Sequence, residues 1–92
     1  MNQRRSNIEI ISEMLRIGAN GAGKTEIMYS ANMSYSQIQK YLKFMISQGL
    51  IDKVEIGNPS VAYMVTEKGH GLRNSIETVL EVLNFKEPEN NK

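Results

Sequence analysis

KTEIMYSANMSYSQIQKYLKFMISQGLIDKVEIGNPSVAYMV, residues 24–65, is the stretch whose reading decides the fold. Thr25 is placed to cap a short helix, TEIMYSA, with Ile27, Met28 and Ala31 as its buried positions. Asn32 and Met33 make a tight turn. Ser34 is a good N-cap because its hydroxyl can accept from a free first-turn amide, and Gln37 three residues on completes a capping box. The helix that follows runs to Gln48. Gly49 then stands where a left-handed C-cap belongs, a conformation glycine adopts without a Cβ clash. Leu50 to Ile56 and Val61 to Val65, dominated by Val, Ile and Tyr, read as two strands, with dense turn chemistry at Gly57-Asn58-Pro59-Ser60 between them.

Working outward, residues 1–5 are polar and read as a flexible N-terminal arm. Ser6 and Glu9 form a capping-box pattern, and Ile8, Ile11 and Leu15, with Met14 alongside, give one apolar face to a helix through about Ile17. GANGAG, residues 18–23, breaks it, since glycine costs about 1 kcal/mol inside a helix. Thr66 begins a last helix, expected over 66–86, with Gly69 and Gly71 weakening its start. Residues 87–92, EPENNK, read as a disordered tail. The order helix, helix-turn-helix, hairpin, helix predicts an α+β fold. It is a winged helix-turn-helix over 6–65, with a three-helix core, a two-stranded β-hairpin wing and an added C-terminal helix. That architecture presents one helix to the DNA major groove.

The totals are permissive. At 92 residues the chain is expected to be one domain, and a domain this small buries only roughly 60–65% of its unfolded surface, so a partner subunit would help it. Net charge is +1, mild for a nucleic-acid binder. There is no cysteine, so disulfides and thiolate metal sites are excluded, which fits an intracellular protein; with DNA as the expected partner, the expected localisation is cytoplasmic and nucleoid-associated. The apolar runs are too short for a membrane span. His70 is the single histidine, and no serine has a histidine-carboxylate partnership in prospect, so no metal, no cofactor and no catalytic group are expected.

At 100° per residue the third helix places Ile38, Tyr41, Leu42, Met45 and Ile46 toward the core. Ser36, Lys40, Lys43 and Ser47 fall opposite, with Gln37 and Gln39 on the shoulders. Ser34, Tyr35 and Ser36 sit at the positive N-terminal end, where amides can meet a phosphate. Lysines neutralise phosphates, and glutamine can pair with adenine edges. The plain alternative is a solvated helix face. Placement favours the former: the chain has ten carboxylates, and none lies within residues 27–51. The wing tip carries no cation, so Asn58 and backbone amides are what it offers, and a hairpin that only closes the core is the alternative. Arg4 and Arg5 are candidates for an arm that supplies the missing charge.

Gly18 to Thr25 matches the phosphate-loop pattern GxxxxGK[ST] letter for letter. The pattern needs a buried strand before it, and an amphipathic helix stands there instead. No nucleotide is expected, and Lys24 is assigned to a DNA backbone from the start of the second helix. In the last helix Leu72, Ile76, Val79 and Leu83 recur at heptad spacing, widened by Leu80. They predict a homodimer interface, the alternative being packing against the first helix. The six methionines read as core filler.

Lys24-Thr-Glu-Ile-Met-Tyr-Ser-Ala-Asn-Met-Ser-Tyr, Gln48-Gly-Leu-Ile51 and Tyr63-Met-Val-Thr-Glu-Lys-Gly69 resemble archaeal winged-helix DNA-binding proteins, across roughly residues 6–83. The group resembled contains small Sulfolobales chromatin proteins that dimerise through an antiparallel coiled coil, together with related transcription regulators. The resemblance implies double-stranded DNA binding, a reading helix at 34–48 and a wing at 57–60. The shorter last helix and low charge favour a regulator over a bulk chromatin packer. The expected function is DNA binding by a homodimeric, non-enzymatic transcription regulator. The alternative is a winged-helix module that binds protein through its hairpin edge or last helix.

Overall fold

The computed structural model describes residues 6–57 and 60–83. Helix α1 (Asn7–Ile17) is followed by a 3-10 turn (Gly18–Asn20), α2 (Lys24–Ser30), α3 (Tyr35–Ser47), β1 (Ile51–Glu55), β2 (Val61–Val65) and α4 (Glu67–Leu83). The two strands pair antiparallel, with Ile51 opposite Val65 and Glu55 opposite Val61. Ile56 N–H donates to the Ser60 carbonyl at 3.1 Å and closes the hairpin. Three helices, an antiparallel hairpin and a C-terminal helix in this order make a winged helix. Arg4 and Arg5 with the rest of the expected arm, Asn58, and all residues from 84 on, which take in the end of the expected helix 66–86 and the expected tail 87–92, lie outside the described residues.

The helix-turn-helix is closed by local chemistry. At the end of α2, Met33 N–H donates to the Met28 carbonyl at 2.9 Å and Asn32 N–H to that of Tyr29 at 3.2 Å. Asn32 takes the left-handed position, φ 56°, in this Schellman turn. The next residues start α3 through a full capping box: Gln37 N–H donates to Ser34 Oγ, and Ser34 N–H to Gln37 Oε1, each at 3.2 Å. A second Schellman turn ends α3. Leu50 N–H donates to the Met45 carbonyl at 2.9 Å, and Gly49, φ 73°, donates to Ile46. Met45 and Leu50, which flank that turn, are both buried.

Ile10, Met14, Leu15, Ile27, Ala31, Ile38, Leu42, Met45, Leu50, Ile51, Tyr63 and Val65 form one core drawn from α1, α2, α3, both strands and the turns between them. Helix α4 contributes Gly69, which is buried, and Leu72, which packs half-buried against that core. Thr66 joins α4 to the end of α3. Its hydroxyl accepts from Gly69 N–H at 3.0 Å and donates to the Gly49 carbonyl at 2.7 Å.

Three local expectations need correction. Thr25 does not cap α2, which starts one residue earlier with Gly23 as N-cap. Ala22 exchanges two backbone hydrogen bonds with Tyr63, at 2.7 and 3.0 Å, so the chain turns into the helix directly from that bridge. Ile8 is 55% exposed, because the buried face of α1 is rotated onto Ile10 and Met14 and leaves Ile8 on its rim in the first turn. Ile46 is 38% exposed for the same geometric reason, at the edge of the face that buries Ile38, Leu42 and Met45.

Candidate nucleic-acid interface

Because Ile38, Leu42 and Met45 are pulled into the core, the opposite flank of α3 is turned to solvent. Ser36, Lys40, Lys43 and Ser47 are all exposed there. Neither lysine forms an ion pair among the described residues, so both ammonium groups are available to an anion. Ser47 is partly spent, since its hydroxyl donates to the Phe44 carbonyl at 2.7 Å.

The shoulders of this stripe are more constrained than their exposure suggests. Ser34 and Gln37 are tied to each other by the capping box, which holds the Gln37 carbonyl against the backbone of Ser34. Gln39 is tied to α2: Lys24 Nζ donates to Gln39 Oε1. The same ammonium lies 5.3 Å from the centroid of the Tyr35 ring, within reach of a cation–π interaction. Lys24, Tyr35 and Gln39 therefore form one unit that bridges the two helices. Tyr35 itself is 61% exposed.

Phe44 is a residue the sequence reading passed over. It is 47% exposed one turn beyond Lys40. It lines a groove of about 580 Å³ between α1 and α3, together with Asn7, Ile11, Gln37, Lys40 and Tyr41. Tyr41 crosses that groove and donates to Asn7 Oδ1 at 2.6 Å. Helical periodicity could have revealed it, because Phe44 falls beside Lys40 on the outward flank.

The wing contributes the described Gly57 and Ser60, both exposed, while Lys53 stands exposed on β1 between Asp52 and Glu55. Gly18 to Thr25 forms the 3-10 turn, the Ala22 bridge and the first turn of α2, and it follows a helix rather than a strand. Among the described residues no group of three or more His, Cys, Asp or Glu is placed to hold a metal, and no helix is long and apolar enough to cross a membrane.

On α4, Leu72 and Ile76 are half-buried within the chain. Val79, Leu80 and Leu83 are exposed, as is Val82, so the apolar surface widens toward the end of the helix. The predicted five-residue seam is thus divided, its first part facing the core and its last part facing solvent.

Comparison with known proteins places this geometry. The model of a family described as winged helix-turn-helix matches residues 4–84. An uncharacterized protein of Methanocaldococcus jannaschii is 37% identical over 84 residues, spanning 90% of this chain and 81% of that one. The crystal structure of Sso10a-2, a DNA-binding protein from Sulfolobus solfataricus, superposes with a TM-score of 0.77 at 31% identity, over 87% of this chain and 83% of that chain. ZitR of Lactococcus lactis, solved in complex with DNA, superposes with a TM-score of 0.65 over 88% of this chain and 57% of its own. Its identity is 18%, so that likeness is one of fold.

Proposed function

The chain belongs to the winged helix-turn-helix family, and from that premise we propose that it is a double-stranded DNA-binding transcription regulator, without catalysis, acting as a homodimer. The observation that carries this reading is the outward flank of α3, where Ser36, Lys40, Lys43 and Ser47 are exposed and, among the described residues, unpaired with any carboxylate. A helix of this form fits the major groove, with lysines on phosphates and shorter polar groups toward base edges. The DNA-binding relative at 31% identity supports the same reading.

In this pose Lys40 and Lys43 anchor the backbone, and Ser36, Gln37 and Gln39 reach the bases. Ser34 and Tyr35 sit at the helix start beside a phosphate, and Lys24 meets the backbone from α2. Arg4, Arg5 and Asn58 are further candidate contacts from the arm and the wing. Val79, Leu80 and Leu83 of α4 join two copies, with Ile76 at the edge. Two reading helices then meet two half-sites, which multiplies the modest affinity expected of one +1 chain.

Gel retardation of a random-sequence duplex at low salt tests the reading, with light scattering on the same sample. Retardation that weakens steadily with added salt, by a protein of twice the chain mass, is the expected result. A chain that retards no DNA at any salt and instead captures a protein partner is the opposite one.

A further inference from the structure

The two glutamines offered to DNA are not free to present both ends of their amides. Gln37 Oε1 accepts from Ser34 N–H at 3.2 Å. Gln39 Oε1 accepts from the Lys24 ammonium, which has three donors and no acceptor, so it is the carbonyl that faces it. Bidentate pairing with adenine requires the carbonyl and the NH2 of one glutamine to face the base together, because adenine shows an acceptor at N7 and a donor at N6. With both carbonyls turned toward the protein, the shoulders of α3 offer N–H groups alone.

We propose that this donor-only surface reads guanine, whose major-groove edge shows two acceptors, N7 and O6, and that Lys24 is a positioning residue that sets the preference by holding Gln39. The inference rests on the DNA-binding reading above and adds the base class and the residue that selects it. Tyr35 takes part through its ring, which holds the Lys24 ammonium from a second side at 5.3 Å. The Lys24→Met change keeps the aliphatic stem and removes the donor. It releases the Gln39 carbonyl, and Gln39 then regains the donor-and-acceptor pair that suits adenine.

Selection of bound duplexes from a random pool, at one fixed salt concentration, tests this with the full chain. The position read by Gln39 is the one whose preference vanishes in Gln39→Ala. The wild type is expected to favour guanine there by about tenfold, the discrimination of one good base contact. Lys24→Met is expected to favour adenine at the same position, among duplexes it binds more weakly than the wild type because the backbone contact of Lys24 is lost as well. In the free protein, the side-chain NH2 resonances of Gln39 are expected to move in Lys24→Met. Adenine in the wild-type site would overturn the guanine assignment, and an unchanged base in Lys24→Met or unmoved Gln39 resonances would overturn the role of Lys24, in each case while DNA retention stands. A wild type that retains no duplex overturns both readings.

Discussion

Gly69 and Gly71 both lie near the start of α4, yet their surroundings are opposite. A Cβ on Gly69 would stand 2.3 Å from the Leu50 carbonyl oxygen and 2.7 Å from Val65 Cγ1, and the first of these is backbone that cannot step aside. A Cβ on Gly71 would meet nothing within 4 Å. Gly69→Ala is therefore expected to cost about 2–3 kcal/mol through overpacking at the α4–hairpin contact. Gly71→Ala is expected to add about 0.5–1 kcal/mol, because alanine loses less backbone entropy in a helix. Urea denaturation of both variants checks the pair, and equal effects would contradict this account. The sequence alone marks both glycines as helix-weakening. What separates them is the carbonyl of Leu50, in the turn between α3 and β1, which periodicity along α4 does not contain. The same limit explains Ile8 and Ile46, whose apolar character is plain but whose exposure depends on how each helix is rotated against its neighbours.

At the scale of the element, α3 was legible because its ends are written in adjacent residues. The capping box of Ser34 and Gln37 and the left-handed Gly49 depend only on side chains and dihedrals within a few positions. Ser34→Ala is expected to lower stability by about 1 kcal/mol, seen as a lower urea midpoint with an unchanged slope, since the cap satisfies one first-turn amide. The outward flank was legible for a related reason: the three buried residues Ile38, Leu42 and Met45 fix its direction. If Lys40 and Lys43 each hold a phosphate, replacing both with glutamine should reduce the slope of log affinity against log salt by about 0.9 per lysine. The loss should be uniform across sequences, because phosphate contacts carry no base information. An unchanged slope would remove both lysines from the interface. The link from Lys24 to Gln39 and Tyr35 was not legible, because it joins side chains from two helices whose mutual rotation is a product of packing.

For the molecule as a whole, the far end of α4 is an exposed apolar surface. The heptad spacing that suggested a seam is real in the sequence, but the fold divides it. Leu72 is drawn into the chain's own core, whereas Val79 is 54% exposed, Val82 76% and Leu83 62%. A monomer of 92 residues that leaves these side chains in water forgoes burial it can ill do without, because a small domain has few apolar contacts to spare. If two copies pair through α4 as proposed, that burial is restored, and the melting temperature of the wild type is then expected to rise with protein concentration, as it must when folding and association are linked. The double change Val79→Ser with Leu83→Ser leaves the Leu72 contact in place and removes two apolar groups from the exposed end. It is expected to give a monomeric mass by light scattering at micromolar concentration. On a duplex with two half-sites its affinity should fall by about a hundredfold, the avidity a second reading helix supplies, whereas binding to a single half-site should be nearly unchanged. A dimeric mass for this variant would move the interface elsewhere on the surface. A monomeric wild type would leave one reading helix per molecule and make half-site spacing irrelevant to the choice of DNA.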